Sequence, residues 1–188
     1  SVILASYVSF GAVLFFSAYI FLIWFYSHKL KKYPFVGNMI ASALAITPFF
    51  IVFVYYKNFQ TVIFVHGLFL LLLISMREIT KDLENLKGDL ALDYKTIPVT
   101  YGIRFAKQII TFFGVLSLIP IALLIGNYDI GKMDYFFYFS IPVLLFYLVY
   151  LWRANTKKQY VFLHNVLKLI LVIGAMSIVL IKPSLILS

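Results

Sequence analysis

The chain has 188 residues, 63% of them hydrophobic and 12% charged, with a net charge of +9 and a mean hydropathy of +0.99. Soluble domains carry about 25% charged residues, so this composition excludes a soluble fold and predicts an all-α, polytopic transmembrane helix bundle. With no cysteine, disulfides, thiolate metal sites and cysteine nucleophiles are excluded. The basic residues sit in short runs between apolar segments, which points to an anionic leaflet or anionic ligands and away from nucleic acid.

A spanning helix needs about 20 apolar residues. Six segments meet or approach that length: Val2–Tyr26, Gly37–Tyr56, Thr61–Met76, Phe105–Ile125, Tyr135–Trp152 and Phe162–Ile181. The first lacks the basic flank of a signal peptide and its apolar run is too long for one, so it reads as a true span. A start at Ser1 rather than Met points to processing or to a chain that begins partway through a longer protein. The third span is short, and Arg77 and Glu78 are expected to continue its helix beyond the membrane. Pro48, Pro120 and Pro142 fall inside the second, fourth and fifth spans and predict bends.

Charge orients the bundle. The loops after the first, third and fifth spans hold twelve of the sixteen basic residues: Lys29, Lys31, Lys32, Arg77, Lys81, Lys87, Lys95, Arg104, Lys107, Arg153, Lys157 and Lys158. The opposite side has Lys57, Lys132 and Lys182. The positive-inside rule makes the first set cytoplasmic and puts both termini outside. Within the spans, His66 reads as a packed histidine. Lys168 and Asn165 are one turn apart near a helix end, where a snorkelling lysine competes with a cavity-facing one. Most of the Phe and Tyr residues read as lipid-facing bulk and interfacial belts. His28 and His164, at loop edges, carry no signal.

Five of the seven acidic residues fall between Arg77 and Gly102, in the run REITKDLENLKGDLALDYKTIPVTYG. A carboxylate cluster at a bilayer edge is costly unless positive charge sits among it. On a helix at 100° per residue with Asp82 set at 0°, Asp89 falls near about −20°, Asp93 near +20°, Glu78 near −40° and Asn85 near −60°. Four carboxylates and one amide then share a face, with Lys81, Glu84 and Lys87 elsewhere. A helix break at Gly88 would take Asp93 out of the row before Asp89. Hard oxygens in this arrangement suit Mg²⁺, which binds through one or two carboxylates, waters and substrate phosphates. Asp82 and Asp89, with Asn85 and Asp93 in support, are the candidate ligands. Lys95 and Arg104 are candidates for holding a diphosphate. Lys31, Lys32 and Asn38 could contact it at the cytoplasmic mouth, although the lysines suit plain positive-inside charge somewhat better and Asn38 equally suits a helix cap. Spacing alone leaves the metal site and a solvated, mixed-charge connector both open.

The same run resembles the second aspartate-rich motif of the UbiA superfamily of intramembrane prenyltransferases. Arg77, Glu78, Ile79, Asp82, Glu84, Gly88, Asp89, Lys95, Thr96, Ile97, Pro98 and Gly102 stand at matching places over about 26 residues. Asn85 replaces an Asp that many members carry. The branch most similar in flavour is the digeranylgeranylglyceryl phosphate synthases. The segment Lys29 to Asn38, Lys-Leu-Lys-Lys-x-x-x-x-Gly-Asn, looks like the family's loop between helices four and five.

The resemblance implies a nine-helix bundle with this motif after the sixth helix. Three spans precede it here and three follow. The family's first motif, Asn-Asp-x-x-Asp-x-x-x-Asp, is absent from these residues. Residues 1–188 are therefore expected to be the C-terminal two-thirds of a single prenyltransferase-type domain. It would lie in the cytoplasmic membrane of a prokaryote with the acidic run facing the cytoplasm. The implied activity is Mg²⁺-dependent transfer of a prenyl group from an isoprenyl diphosphate to a lipophilic acceptor. Asp82 and Asp89 would serve as the catalytic metal ligands, and this chain alone would lack half of the metal cradle. Two alternatives stay open: a catalytically incomplete fragment or partner subunit, and a cation transporter subunit.

Overall fold

The computed structural model describes residues 6–177 except 8, 31–32, 56 and 58. Among the described residues eight α-helices follow one another: α1 (Phe10–His28), α2 (Val36–Tyr55), α3 (Thr61–Ala91), α4 (Ile97–Tyr101), α5 (Ile103–Leu116), α6 (Leu118–Asn127), α7 (Asp134–Arg153) and α8 (Lys157–Ser177). A 3₁₀ turn at Gly131–Met133 leads into α7, and no strand occurs among the described residues. Among the described residues five stretches are long and apolar enough to span a membrane: α1, α3, α5 with α6, the 3₁₀ turn with α7, and α8; α2 adds a shorter apolar stretch, Val36–Ile51. The protein is an integral membrane protein with an all-helical fold.

The bundle is built around α3, whose 31 residues extend about 46 Å at 1.5 Å per residue. Phe69, Leu73, Met76, Ile79 and Leu83 recur on its inner side and are essentially buried. α3 packs most extensively on α8, then on α2 and α5. The α8 surface that completes the core repeats at helical spacing: Tyr160, Leu163, His164, Leu167 and Ile170. Small residues let helices approach. A methyl group at Gly67 would collide with the Phe50 ring, and one at Gly174 would lie 2.9 Å from Phe136 Cζ.

The helix does not break at Gly88. A glycine there costs about 1 kcal/mol relative to alanine, but the good helix formers Lys81, Leu83, Glu84, Leu86, Lys87, Leu90 and Ala91 surround it. The helix runs on to Ala91, so the apolar Thr61–Met76 half and the acidic half are one rigid rod.

Prolines behave differently in each span. α2 and α7 continue through Pro48 and Pro142 as single helices. Pro48 frees the carbonyl of Leu44, four residues back. The Tyr19 hydroxyl of α1 donates to that oxygen at 2.8 Å, which both satisfies it and ties α1 to α2. The fourth span divides into α5 and α6 at Ser117. Pro120 has no N–H for the Leu116 carbonyl, and the helix restarts just ahead of it.

Two polar side chains that lie at span ends or within spans are taken up by packing. His66 is buried among rings, stacked on Phe49 at 5.6 Å and edge-on to Phe69 and Phe137. Lys107, counted above with the cytoplasmic charges, is instead buried; its Nζ donates to the Ala154 carbonyl at 2.6 Å at the C-terminal cap of α7. A cation suits a helix C-terminus, and the Tyr160 hydroxyl donates to the same oxygen. Asn165 and Lys168 are exposed on the outer side of α8. α1 buries no residue and presents Leu14, Phe21, Leu22 and Trp24 outward.

Candidate functional site

One end of the bundle gathers the polar chemistry. There the acidic half of α3 meets the α1–α2 connection, the segment before α4 and the α7–α8 loop. A cleft of about 50 Å³ is lined by Tyr26, Gly37, Asn38, Glu78, Lys81, Asp82, Asn85, Asp89 and Thr96. Because α3 is unbroken, Glu78, Asp82, Asn85 and Asp89 share one face of it, as their spacing requires.

The carboxylates in this cleft are not equivalent. Glu78 is already neutralised: Arg77 Nη1 donates to its Oε1 at 2.7 Å and Lys81 Nζ to its Oε2 at 2.8 Å. Asp82 is bonded by an amide, with Asn38 Nδ2 donating to Oδ2 at 2.7 Å. Asn38 lies in the first turn of α2, which begins at Val36, so it bridges two helices and does not cap one. The Thr96 hydroxyl reaches Asp89 Oδ2 at a long 3.4 Å. Asp82 stands beyond the apolar half of α3, and burial lifts its carboxyl from 3.8 to about 7. The neighbouring charges of Asp89 and Glu78 push the same way, against the Asn38 hydrogen bond and Lys81. Two carboxylates that resist sharing negative charge form a site that a cation would stabilise.

Among the described residues no three His, Cys, Asp or Glu side chains converge as a cage for a metal ion. The donors at hand are two carboxylates, an amide oxygen on Asn85 and no soft ligand. That set fits Mg²⁺, which leaves much of its octahedron to water and phosphate, better than a zinc or calcium cage.

The structure separates the other candidates. Asp93 leaves the row, not through a break at Gly88 but because α3 ends at Ala91 and Asp93 takes a left-handed φ of 54°, a conformation Asp tolerates better than most residues. It lines a second cleft, about 270 Å³, with Lys29, Tyr33, Leu92 and Lys95. Arg104 is exposed on the first turn of α5. Lys31 and Lys32 lie outside the described residues. Glu84 turns away from the cleft, and its Oε2 accepts from His164 Nδ1 at 2.8 Å. A third cavity, about 260 Å³, is bounded by Glu84, Lys87, Ile103, Asn155, Lys157 and Tyr160 and touches the acidic cleft through Asn85.

Residues 1–179 match the UbiA prenyltransferase family. The chain belongs to that family. It is 32% identical over 158 residues to the digeranylgeranylglyceryl phosphate synthase of Thermococcus sibiricus, covering 82% of this chain and 52% of that protein. It is 36% identical over 121 residues to the enzyme of the same name from Pyrococcus furiosus, covering 62% and 42%. A solved structure from work on the biosynthesis of digeranylgeranylglyceryl phosphate synthase in membranes superposes with a TM-score of 0.76 at 23% identity, over 95% of this chain and 63% of that one. The likeness to that structure shows the fold. The chain spans about half the length of the curated relatives it matches.

Asp82, Asn85, Asp89 and Asn38, the candidates that the sequence offers in this UbiA family chain, meet in one cleft. Tyr26, Lys81 and Thr96 as wall residues, and His164 behind them, come from the fold and not from the sequence pattern. The signal for His164 was there: it falls in register with Tyr160, Leu163 and Leu167 on the inward face of α8.

Proposed function

We propose that this chain carries one jaw of the Mg²⁺–diphosphate site of a membrane prenyltransferase, which moves a prenyl group from an isoprenyl diphosphate to a lipophilic acceptor. The observation that carries this reading is the convergence of Asp82, Asn85 and Asp89, on one face of an unbroken helix, with Asn38 and Lys81 in a single cleft at the polar end. Asp82 and Asp89 would hold the metal, and Asn85 would lend an uncharged oxygen. Asn38 orients Asp82 by its hydrogen bond. A bound Mg²⁺ supplies charge neutralisation for the departing diphosphate as the allylic carbon–oxygen bond ionises. Lys95 and Lys29, facing one cleft beside the acidic one, would supply cations for diphosphate oxygens; Arg104, exposed on the first turn of α5, lines none of the three clefts. The acidic end faces the cytoplasm on the positive-inside count.

An Asn-Asp-x-x-Asp run does not occur in these 188 residues. A cation-conducting role is disfavoured by the bundle centre, where His66 is walled by phenylalanines and Asn165 and Lys168 are on the outer surface.

The relatives' name directs the choice of first substrates. Complete protein in lipid bilayers, given labelled geranylgeranyl diphosphate and a prenylated glyceryl phosphate, is expected to form a doubly prenylated lipid with Mg²⁺ and none with EDTA. Transfer that continues at full rate in EDTA would contradict the reading.

A further inference from the structure

The acidic face of α3 works only if the helix is held at one rotation. Carboxylates stand about 5–6 Å from a helix axis, so a rotation of 20° moves them about 2 Å, as far as an entire Mg²⁺–oxygen bond. Ile79 and Leu83 pack one flank of this segment, but apolar contacts are non-directional. On the cleft side Asn38 and Thr96 bond the carboxylates themselves; further directional bonds come from the back. Thr80 and Glu84 lie at about 160° and 200° from Asp82, diametrically opposite the cleft. The Thr80 and Tyr147 hydroxyls share a hydrogen bond of 2.6 Å to α7, and His164 Nδ1 donates to Glu84 Oε2 at 2.8 Å from α8. Both side chains of the second pair are mostly buried, at 10% and 18% exposure.

The imidazole is not a neutral choice for that position. His164 Nε2 is buried without a hydrogen-bond partner among the described residues, a cost that a leucine would avoid. Its neighbours on the inward face, Leu163 and Leu167, are apolar and fully buried. Packing alone would favour a third apolar residue. What the imidazole adds is its bond to Glu84, the side chain one residue from Asn85 and two from Asp82.

We propose that Glu84 and His164 are a positioning pair: α8 grips the back of α3 so that Asp82, Asn85 and Asp89 point together into the cleft. The inference rests on the reading of that cleft as a Mg²⁺–diphosphate site. Neither residue touches the ligand. Their effect is on how well preorganised carboxylates meet the metal, and removing such supporting partners costs about 10–100-fold in metal affinity.

The test uses the complete protein in nanodiscs and Mn²⁺, an EPR-visible substitute for Mg²⁺, titrated with inorganic diphosphate present. His164→Leu is expected to weaken Mn²⁺ binding about 10–100-fold. The Mg²⁺ concentration for half-maximal turnover should rise in parallel, with little change in the KM for prenyl diphosphate at saturating Mg²⁺. His164→Asn, whose amide nitrogen takes the place of Nδ1, should recover most of the loss. Glu84→Gln keeps shape and acceptor but loses the charge-assisted bond. It should give a smaller rise, and it carries the test if His164→Leu does not fold. Asp82→Ala runs alongside. Wild-type Mn²⁺ binding in His164→Leu, or in Glu84→Gln should that variant stand in for it, together with lost binding in Asp82→Ala overturns the positioning pair and leaves the metal site standing. Wild-type binding in both the tested pair variant and Asp82→Ala overturns the pair together with the metal site.

Discussion

Replacing Asp82 or Asp89 by alanine in the complete protein is expected to cut Mg²⁺-dependent diphosphate release by about 10²–10³-fold each, or about 2.7–4 kcal/mol of transition-state stabilisation. The physical reason is that both carboxylates line the cleft from one face of α3, whereas Glu78, on the same face, spends its charge on Arg77 and Lys81. Asp82→Asn should be nearly as damaging as alanine, since it keeps an acceptor for Asn38 and loses only the charge. Asp93→Ala should change the rate by less than about threefold, because α3 ends before it and its side chain belongs to the neighbouring lysine cleft. Coupled-phosphate kinetics on the purified variants, with thermal unfolding to confirm folding, separates these outcomes. A loss at Asp93 equal to that at Asp82 would mean the helix end rearranges to restore the row.

Mg²⁺ affinity is expected to fall about tenfold per pH unit below pH 7, and to be nearly flat above it. Burial raises the Asp82 carboxyl to about 7 in the cation-free protein, so below that pH a proton must leave before a metal can bind. An aspartate at its ordinary 3.8 would give no dependence between pH 6 and 8. The sign for stability runs opposite to the usual aspartate case. A folded-state pKa raised above the unfolded value gives stability that is complete below the unfolded pKa and is lost as pH rises through about 7. The metal-free protein should therefore melt at lower temperature at pH 8 than at pH 6, and Mg²⁺ should reverse that order. Calorimetric Mg²⁺ titrations and melting curves at pH 6, 7 and 8 measure both, and Asp82→Asn should flatten both profiles.

The legible part of this protein was one-dimensional. Apolar runs of near-bilayer length fixed the spans because lipid demands them, and the 3.6-residue period placed Asp82, Asn85 and Asp89 together whatever their neighbours were. Local terms were harder. Gly88 reads as a possible break, yet its surrounding Leu, Lys, Glu and Ala carry the helix three residues further. Asp93 misses the row because of where a helix ends, which is the least certain feature of any sequence pattern. Pro120 signals disturbance, but whether a span bends or divides depends on who satisfies the freed carbonyl. For Pro48 that partner is Tyr19, 29 residues away. The illegible part was pairing across helices. Nothing in the sequence ties Asn38 to Asp82, Glu84 to His164, or Lys107 to the end of α7. Each is a contact between segments 44 to 80 residues apart. Lys107 looked like a loop charge because lysine usually is one; its burial follows from α5 starting at Ile103 and turning it inward.

The central claim is that the acidic face of α3 is a metal-dependent diphosphate jaw. The most direct measurement is the EPR titration of the complete protein with Mn²⁺, with and without inorganic diphosphate, in wild type and in Asp82→Ala/Asp89→Ala. Diphosphate-enhanced Mn²⁺ binding is expected in wild type, and its loss in the double variant. Equal Mn²⁺ binding by the two proteins in the presence of diphosphate would contradict it.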